Sequence, residues 1–237
     1  MLYYITGIVL IPGLLLAIYA QFKVSSAYST YSRVNSASGV TAYEMARAVL
    51  NRAGLYNIQI QEIPGTLTDH YDHENKAIRL SRGVFNSSSV AALGVAAHEV
   101  GHALQYAENY FPVKLRNALV PIINITSRIM WPLVLFGLIF GLAVPGNPIG
   151  DIVIYAGLIF YGSSVLFSLV TLPTEFNASK RAAALLSSSG ILTRAETEQA
   201  KQVLDAAAWT YIASLVTAIL SLLRFFAIIF LSRGRRR

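Results

Sequence analysis

Four runs of this chain are more apolar than the surface of a water-soluble domain allows, and they limit what it can fold into. Residues 2–20 and 152–172 carry no charged side chain, and each comes close to the ~20 residues that a helix needs to cross a bilayer. Residues 129–144 form another run, and 206–223 a fourth, which Arg224 interrupts before 225–231 continues it. Pro145-Gly146-Asn147-Pro148 is tight-turn chemistry, so 129–172 reads as a transmembrane hairpin. With 54% hydrophobic and 13% charged residues and a mean hydropathy of +0.52, the expected fold class is a mainly α, multi-pass membrane protein with about four membrane segments. A cleavable signal peptide is the competing reading of 2–20. That run lacks a basic flank and a small-residue cleavage site, so it is expected as a retained anchor.

The segments between these runs are polar enough to fold in water. Thr41-Ala42-Tyr43-Glu44 fits a capping box and Gly54 a helix stop, with Met45, Val49 and Leu50 at helical spacing between them. Ile58-Gln59-Ile60-Gln61 alternates as a half-buried strand does. Residues 66–71 and 77–80 read as two further strands joined by 72–76. Thr193-Arg194-Ala195-Glu196 is a second capping box, after a helix that Gly190 ends. The whole chain, 1–237, is expected as one membrane-integrated domain. It comprises an anchor (2–20), a metal-helix region (21–128), the hairpin (129–172), a third-ligand region (173–206) and a last membrane segment (207–231).

The chemistry is concentrated in His98-Glu99-Val100-Gly101-His102. Residues i and i+4 share a helical face, so both imidazoles can reach one metal ion, and Glu99 then stands beside it as a general base. With 4 His in 237 residues, composition alone would produce this pattern in roughly two such chains per thousand. A chance pattern would also leave a glutamate buried without a partner, which is costly. Ser87, Ser88 and Ser89 offer N-caps, and 90–107 contains no proline. There are no cysteines, so a Zn²⁺, one per chain, would rest on histidine and carboxylate alone.

A catalytic zinc needs a third protein ligand. Glu108 is six residues past His102 on the same helix, too far along to turn back, and Asp151 lies in the loop between two spans. Glu175 is the best-placed carboxylate, directly after the span 152–172. A helix starting there would put Ser179 on the same face, where it could support the carboxylate. On spacing alone, a solvated first-turn glutamate is an equally open reading. His70 and Tyr71 are candidates to stabilise developing negative charge, with an ordinary strand pair as the favoured reading; His73 is expected to be exposed.

Four blocks in this order resemble the bacterial membrane-bound neutral zinc metallopeptidases: YSRVNSASG, GTLTDHYD, HEVGHALQ and TEFNASKRA. The resemblance covers about residues 31–223 and includes the pattern of membrane spans. It implies zinc held by His98, His102 and Glu175, with Glu99 as the catalytic base. More broadly the chain is similar to zincins whose third ligand is a glutamate in a later helix, such as the membrane CAAX-protease and heat-shock-protease group. Those carry ExxxD; here Ser179 stands where the aspartate would be.

The expected activity is therefore peptide-bond hydrolysis in a peptide or membrane-protein substrate, by a zinc-activated water. Two rivals stand beside it. One is a site-2-type intramembrane protease, for which 90–104 is apolar enough, although Asn147-Pro148-Ile149-Gly150-Asp151 has a different order from that class's partner motif. The other is a non-catalytic membrane scaffold or assembly factor, which would not need Glu99. The net charge of +7 is scattered and ends in an Arg tail, which fits a lipid surface rather than nucleic acid. Residues 21–128 carry 10 Lys+Arg and 173–206 carry 4, against none in 1–20 or 145–151. This bias predicts a cell-membrane protein with a cytoplasmic catalytic face and the N-terminus outside. The Arg tail argues the other way if the last segment fully crosses, and a re-entrant last segment with Arg224 at its interface removes the conflict.

Overall fold

The computed structural model describes residues 6–136 and 148–234, which are mainly helical with one small sheet. After a 3-10 turn at Ile8–Leu10, α1 (Ile11–Tyr31) and α2 (Ala42–Arg52) precede the strands β1 (Gln59–Ile63), β2 (His70–Asp72) and β3 (Ala77–Ser81). Then follow α3 (Arg82–Phe85), α4 (Val90–Ala107), α5 (Phe111–Phe136), α6 (Pro148–Ser189) and α7 (Arg194–Gly234). The chain divides into two compact units. One comprises Met1–Ile18, Lys114–Leu172 and Tyr211–Arg237; the other comprises Tyr19–Val113 and Pro173–Thr210.

The first unit is built from apolar helix. Among the described residues, three helical stretches are long and apolar enough to cross a membrane: Ile8–Tyr31, Tyr155–Ser189 and Arg194–Ile229. The expected span 129–144 begins within α5, and its remainder, from residue 137, lies outside the described residues. Within this unit Gly13 faces Thr217 and Leu220, and Gly157 faces the Phe225 ring, the close small-residue approach that helices use in lipid.

Two helices run further than the sequence pattern predicts, and the last follows its expected course. Helix α1 continues to Tyr31, past the apolar run that ends at Ala20. Helix α6 passes through Pro173 instead of starting afresh at Thr174. The proline removes the hydrogen bond to the Leu169 carbonyl, a cost of about 3 kcal/mol. Complete burial of Ala178, Ala182 and Leu186 on one face further along offsets it. Helix α7 passes Arg224 without a break.

The second unit has its own core. Met45, Val49 and Leu50 of α2, Ile78 and Leu80 of β3, Val90, Leu93 and Val100 of α4, Ala182 and Leu186 of α6, and Ala200 and Leu204 of α7 pack together. Both capping boxes form as the sequence predicts. Thr41 Oγ1 accepts from Glu44 N–H while Glu44 accepts from Thr41 N–H, and Thr193 and Glu196 repeat the exchange. Glu196 also accepts from Ala37 N–H at 2.7 Å, tying the start of α7 to the segment after α1. The strands form one sheet of order β1-β3-β2. The β2–β3 pair is antiparallel, as the short connection 73–76 requires, while β1 pairs with β3 in parallel. Asp69 closes the sheet end by accepting from Ser81 N–H (2.7 Å) and Ser81 Oγ–H (3.0 Å).

Candidate metal centre

Helix α4 begins where predicted, with Ser89 Oγ accepting from Ala92 N–H. The chain leading into it is anchored by Val90 N–H donating to the Val34 carbonyl and Ser36 N–H to the Ser88 carbonyl. Its residues are small and apolar nearly all round, from Ala91, Ala92 and Leu93 to Ala103, and most are fully buried. A helix apolar on every face belongs in a core or a membrane. Here the core of the second unit encloses it, and it is not among the candidate spans.

That burial brings α4 against the stretch of α6 beyond Pro173. Gly101 faces the backbone of Ala178 so closely that a Cβ there would lie 2.7 Å from the Ala178 carbonyl oxygen. Glu175 is three residues before Ala178, almost one turn, so this contact delivers its carboxylate to the histidine face of α4. His98 Nε2, His102 Nε2 and Glu175 Oε2 converge, with separations of 3.1 Å between the two nitrogens, 3.2 Å from His98 to Glu175 and 3.3 Å from His102 to Glu175. Tetrahedral ligands about 2.0–2.1 Å from an ion stand about 3.3–3.4 Å apart, so the triangle has nearly the size that one metal imposes. The three residues form a group that could hold a metal ion. Their side chains are only 13%, 12% and 5% exposed, which leaves a restricted opening to solvent.

Each ring is held from behind. Ser179 Oγ lies 3.1 Å from His98 Nδ1, and Gln105 Oε1 lies 3.0 Å from His102 Nδ1. Ser179 therefore supports a histidine, not the Glu175 carboxylate as spacing predicts: it shares with Glu175 the face of α6 that meets α4, and from there its hydroxyl reaches His98. Gln105 was not legible as a site residue. It is fully buried, and its Nε2 donates to the Thr174 carbonyl (2.8 Å) and to Asn177 Oδ1 (3.0 Å). Asn177 Oδ1 also accepts from Arg181 Nε, and Arg181 makes a two-point ion pair with Glu108 at 2.8 and 2.7 Å. Burial opposes charge on the His102 ring. The hydrogen bond with Glu175 and the charges of Glu99 and Glu175 outweigh it, so the ring keeps a proton to higher pH than an ordinary imidazole.

Glu99, adjacent to His98, is 7% exposed. The other sequence candidates are not members of this group of three. His70 bonds the Thr68 carbonyl through Nδ1 and is exposed. Tyr71 packs edge-on against Tyr106, with ring centroids 5.4 Å apart, and burial pushes its phenol pKa up. His73 is exposed, as predicted, but stacks on the same Tyr106 ring at 4.8 Å. Glu108 is an ion-pair partner on the rim, and Asp151 belongs to the first unit.

Residues 6–230 match the model of a family described as "Putative neutral zinc metallopeptidase". The chain is also 42% identical over 215 residues to the "Putative membrane protease YugP" of Bacillus subtilis (strain 168), covering 91% of this chain and 92% of that protein. No solved structure matches.

Proposed function

The chain belongs to the family described as "Putative neutral zinc metallopeptidase", and from that premise we propose that it is a membrane-bound zinc endopeptidase with Glu99 as its catalytic base. The observation that carries the reading is the convergence of His98, His102 and Glu175, with ligand atoms 3.1–3.3 Å apart, beside a buried carboxylate. His98, His102 and Glu175 would hold the zinc. When bound, it supplies Lewis acidity towards water and towards the scissile carbonyl. Glu99 takes the proton of the attacking water and returns it to the leaving amine. Ser179 and Gln105 keep the two rings turned towards the ion. The substrate is a peptide segment, including one presented by a membrane protein. The enclosure of α4 within a core favours this reading over an intramembrane site-2 type.

The test is metal content of detergent-purified protein. Wild type should carry about one zinc per chain. His98→Ala and Glu175→Ala should lose it. Glu99→Gln should keep it while casein hydrolysis falls at least ~100-fold. Wild type that takes up no zinc, or full activity in Glu99→Gln, would sink the proposal; the first result would favour a non-catalytic scaffold.

We propose further that the catalytic face is cytoplasmic in the cell membrane, on the Lys/Arg bias of residues 21–128 and 173–206. The chain has no cysteine, so a single Ser38→Cys can be labelled in intact cells. An impermeant maleimide should fail to reach it until the cells are lysed; ready labelling would reverse the orientation.

A further inference from the structure

Gln105 joins the metal helix to the ligand-bearing helix by bonds that leave little choice of orientation. The Thr174 carbonyl can only accept, so the amide group 2.8 Å from it is the NH₂ of Gln105. The oxygen of that amide therefore faces His102 Nδ1 at 3.0 Å. A carbonyl oxygen can only accept, so His102 Nδ1 must carry a hydrogen. In the neutral ring, Nε2 then presents its lone pair towards His98 and Glu175. The same chain continues outward: Asn177 Oδ1 is fixed by two donors, Gln105 Nε2 at 3.0 Å and Arg181 Nε at 2.7 Å, and Arg181 is clamped by Glu108. The last partner returns to the end of α4, three residues after Gln105.

We infer that Gln105 is a positioning residue: through one buried amide it sets the tautomer of His102 and locks Thr174, the neighbour of Glu175, in register with the metal helix. The assignment rests on the metal reading above and adds to it the reason that site is preformed. A pair of helices held only by apolar packing could slide or rotate by a fraction of a turn without leaving a polar group unpaired. Here such a shift would strand the Gln105 amide in a site with no access to water. Ser179 cannot substitute, since it contacts the other ring.

The experiment compares zinc affinity, by chelator competition, with the Tm of the metal-free form, using full-length protein in detergent. Gln105→Met removes the acceptor and both donors at nearly constant volume, and should weaken zinc binding by about 10–100-fold. Gln105→Glu keeps an oxygen towards His102 but loses the donors to Thr174 and Asn177. It should lower Tm at least as far as Gln105→Met does, yet weaken zinc binding less. A merely structural glutamine would make affinity follow Tm in both variants, and that result overturns the assignment. So does a Gln105→Met that binds zinc like wild type. If Gln105→Met does not fold, Gln105→Asn takes its place: it keeps a buried amide but withdraws the oxygen from His102, and the same loss is expected. His98→Ala separates the two levels. Zinc lost there, but unchanged in Gln105→Met, removes only the role of Gln105; wild type that binds no zinc removes the metal reading and this inference with it.

Discussion

In the second unit Leu50, Leu80, Leu93 and Leu186 are wholly buried, whereas in the first Leu14, Leu15 and Leu223 stand more than half exposed. Local back-bonds from Ser and Thr occur in both units, as at Ser188, Ser189, Thr197 and Thr210 of the second, which adds bonds between its helices. In the first unit Thr126, Ser163, Ser164 and Ser221 each donate to a carbonyl three or four residues back in their own helix. In the second, Gln105, Asn177, Ser179 and Arg181 reach across between helices. One unit leaves large apolar side chains exposed on helices long and apolar enough to cross a membrane. The other buries its apolar surface in itself and adds polar bonds between helices that fix geometry. An exposed side chain therefore means different things in the two units, and a mutation series can show whether the division holds.

The largest expected effect comes from putting a charge where each unit exposes a large side chain. Leu15→Arg sets a guanidinium in the middle of an apolar span, at a cost of about 2.5–3.5 kcal/mol of insertion free energy. It should shift a substantial fraction of the protein into the alkaline carbonate wash. Tyr56→Arg, at a residue 73% exposed in the second unit, should stay within about 0.5 kcal/mol of wild type by thermal melt. Equal tolerance of the two changes would mean that the exposed face of the first unit does not meet lipid.

The same division explains what could be read from the chain. The metal pair was legible because His98 and His102 sit on one helix, where four residues of spacing is a spatial statement. The caps at Thr41, Ser89 and Thr193 were legible for the same reason: each partner is three residues away. The apolar spans were visible as runs, though their helices overshoot because a helix end is set by what packs on it as much as by polarity. What spacing could not supply is contact between α4 and α6. Spacing leaves Glu175 one open choice among carboxylates, and it points Ser179 at the carboxylate where the structure has it on His98. For Gln105 the only local signal is its i, i+3 spacing from His102; its partners in α6, 69 and 72 residues away, carry none. The parallel pairing of β1 with β3 was likewise invisible, since it depends on a crossover rather than on a turn.

Glycine substitutions sharpen the comparison at smaller amplitude, because the two units use close approach differently. A Cβ on Gly101 would meet backbone: the Ala178 carbonyl oxygen at 2.7 Å, with its carbon and Cα at 3.3 Å. Backbone in the middle of α6 cannot give way without moving the turn that carries Glu175. Gly101→Ala should therefore cost about 1–3 kcal/mol and weaken zinc binding as well. In the first unit a Cβ on Gly157 would overlap the Phe225 ring more severely, yet that ring is the free end of a side chain and can swing aside. Gly157→Ala should cost less and leave zinc affinity alone. Gly94, also on α4, faces Ala200 at 3.5 Å, an ordinary contact, so Gly94→Ala should be neutral or gain up to ~1 kcal/mol of helix propensity. The ranking by Tm should be Gly94→Ala highest, then Gly157→Ala, then Gly101→Ala, with zinc affinity reduced in the last alone. A Gly101→Ala protein that melts and binds zinc like wild type would mean that the approach of α4 to Ala178 does not set the position of Glu175. The register would then rest on the polar contacts between the two helices, Gln105 with Thr174 and Asn177 and Ser179 with His98.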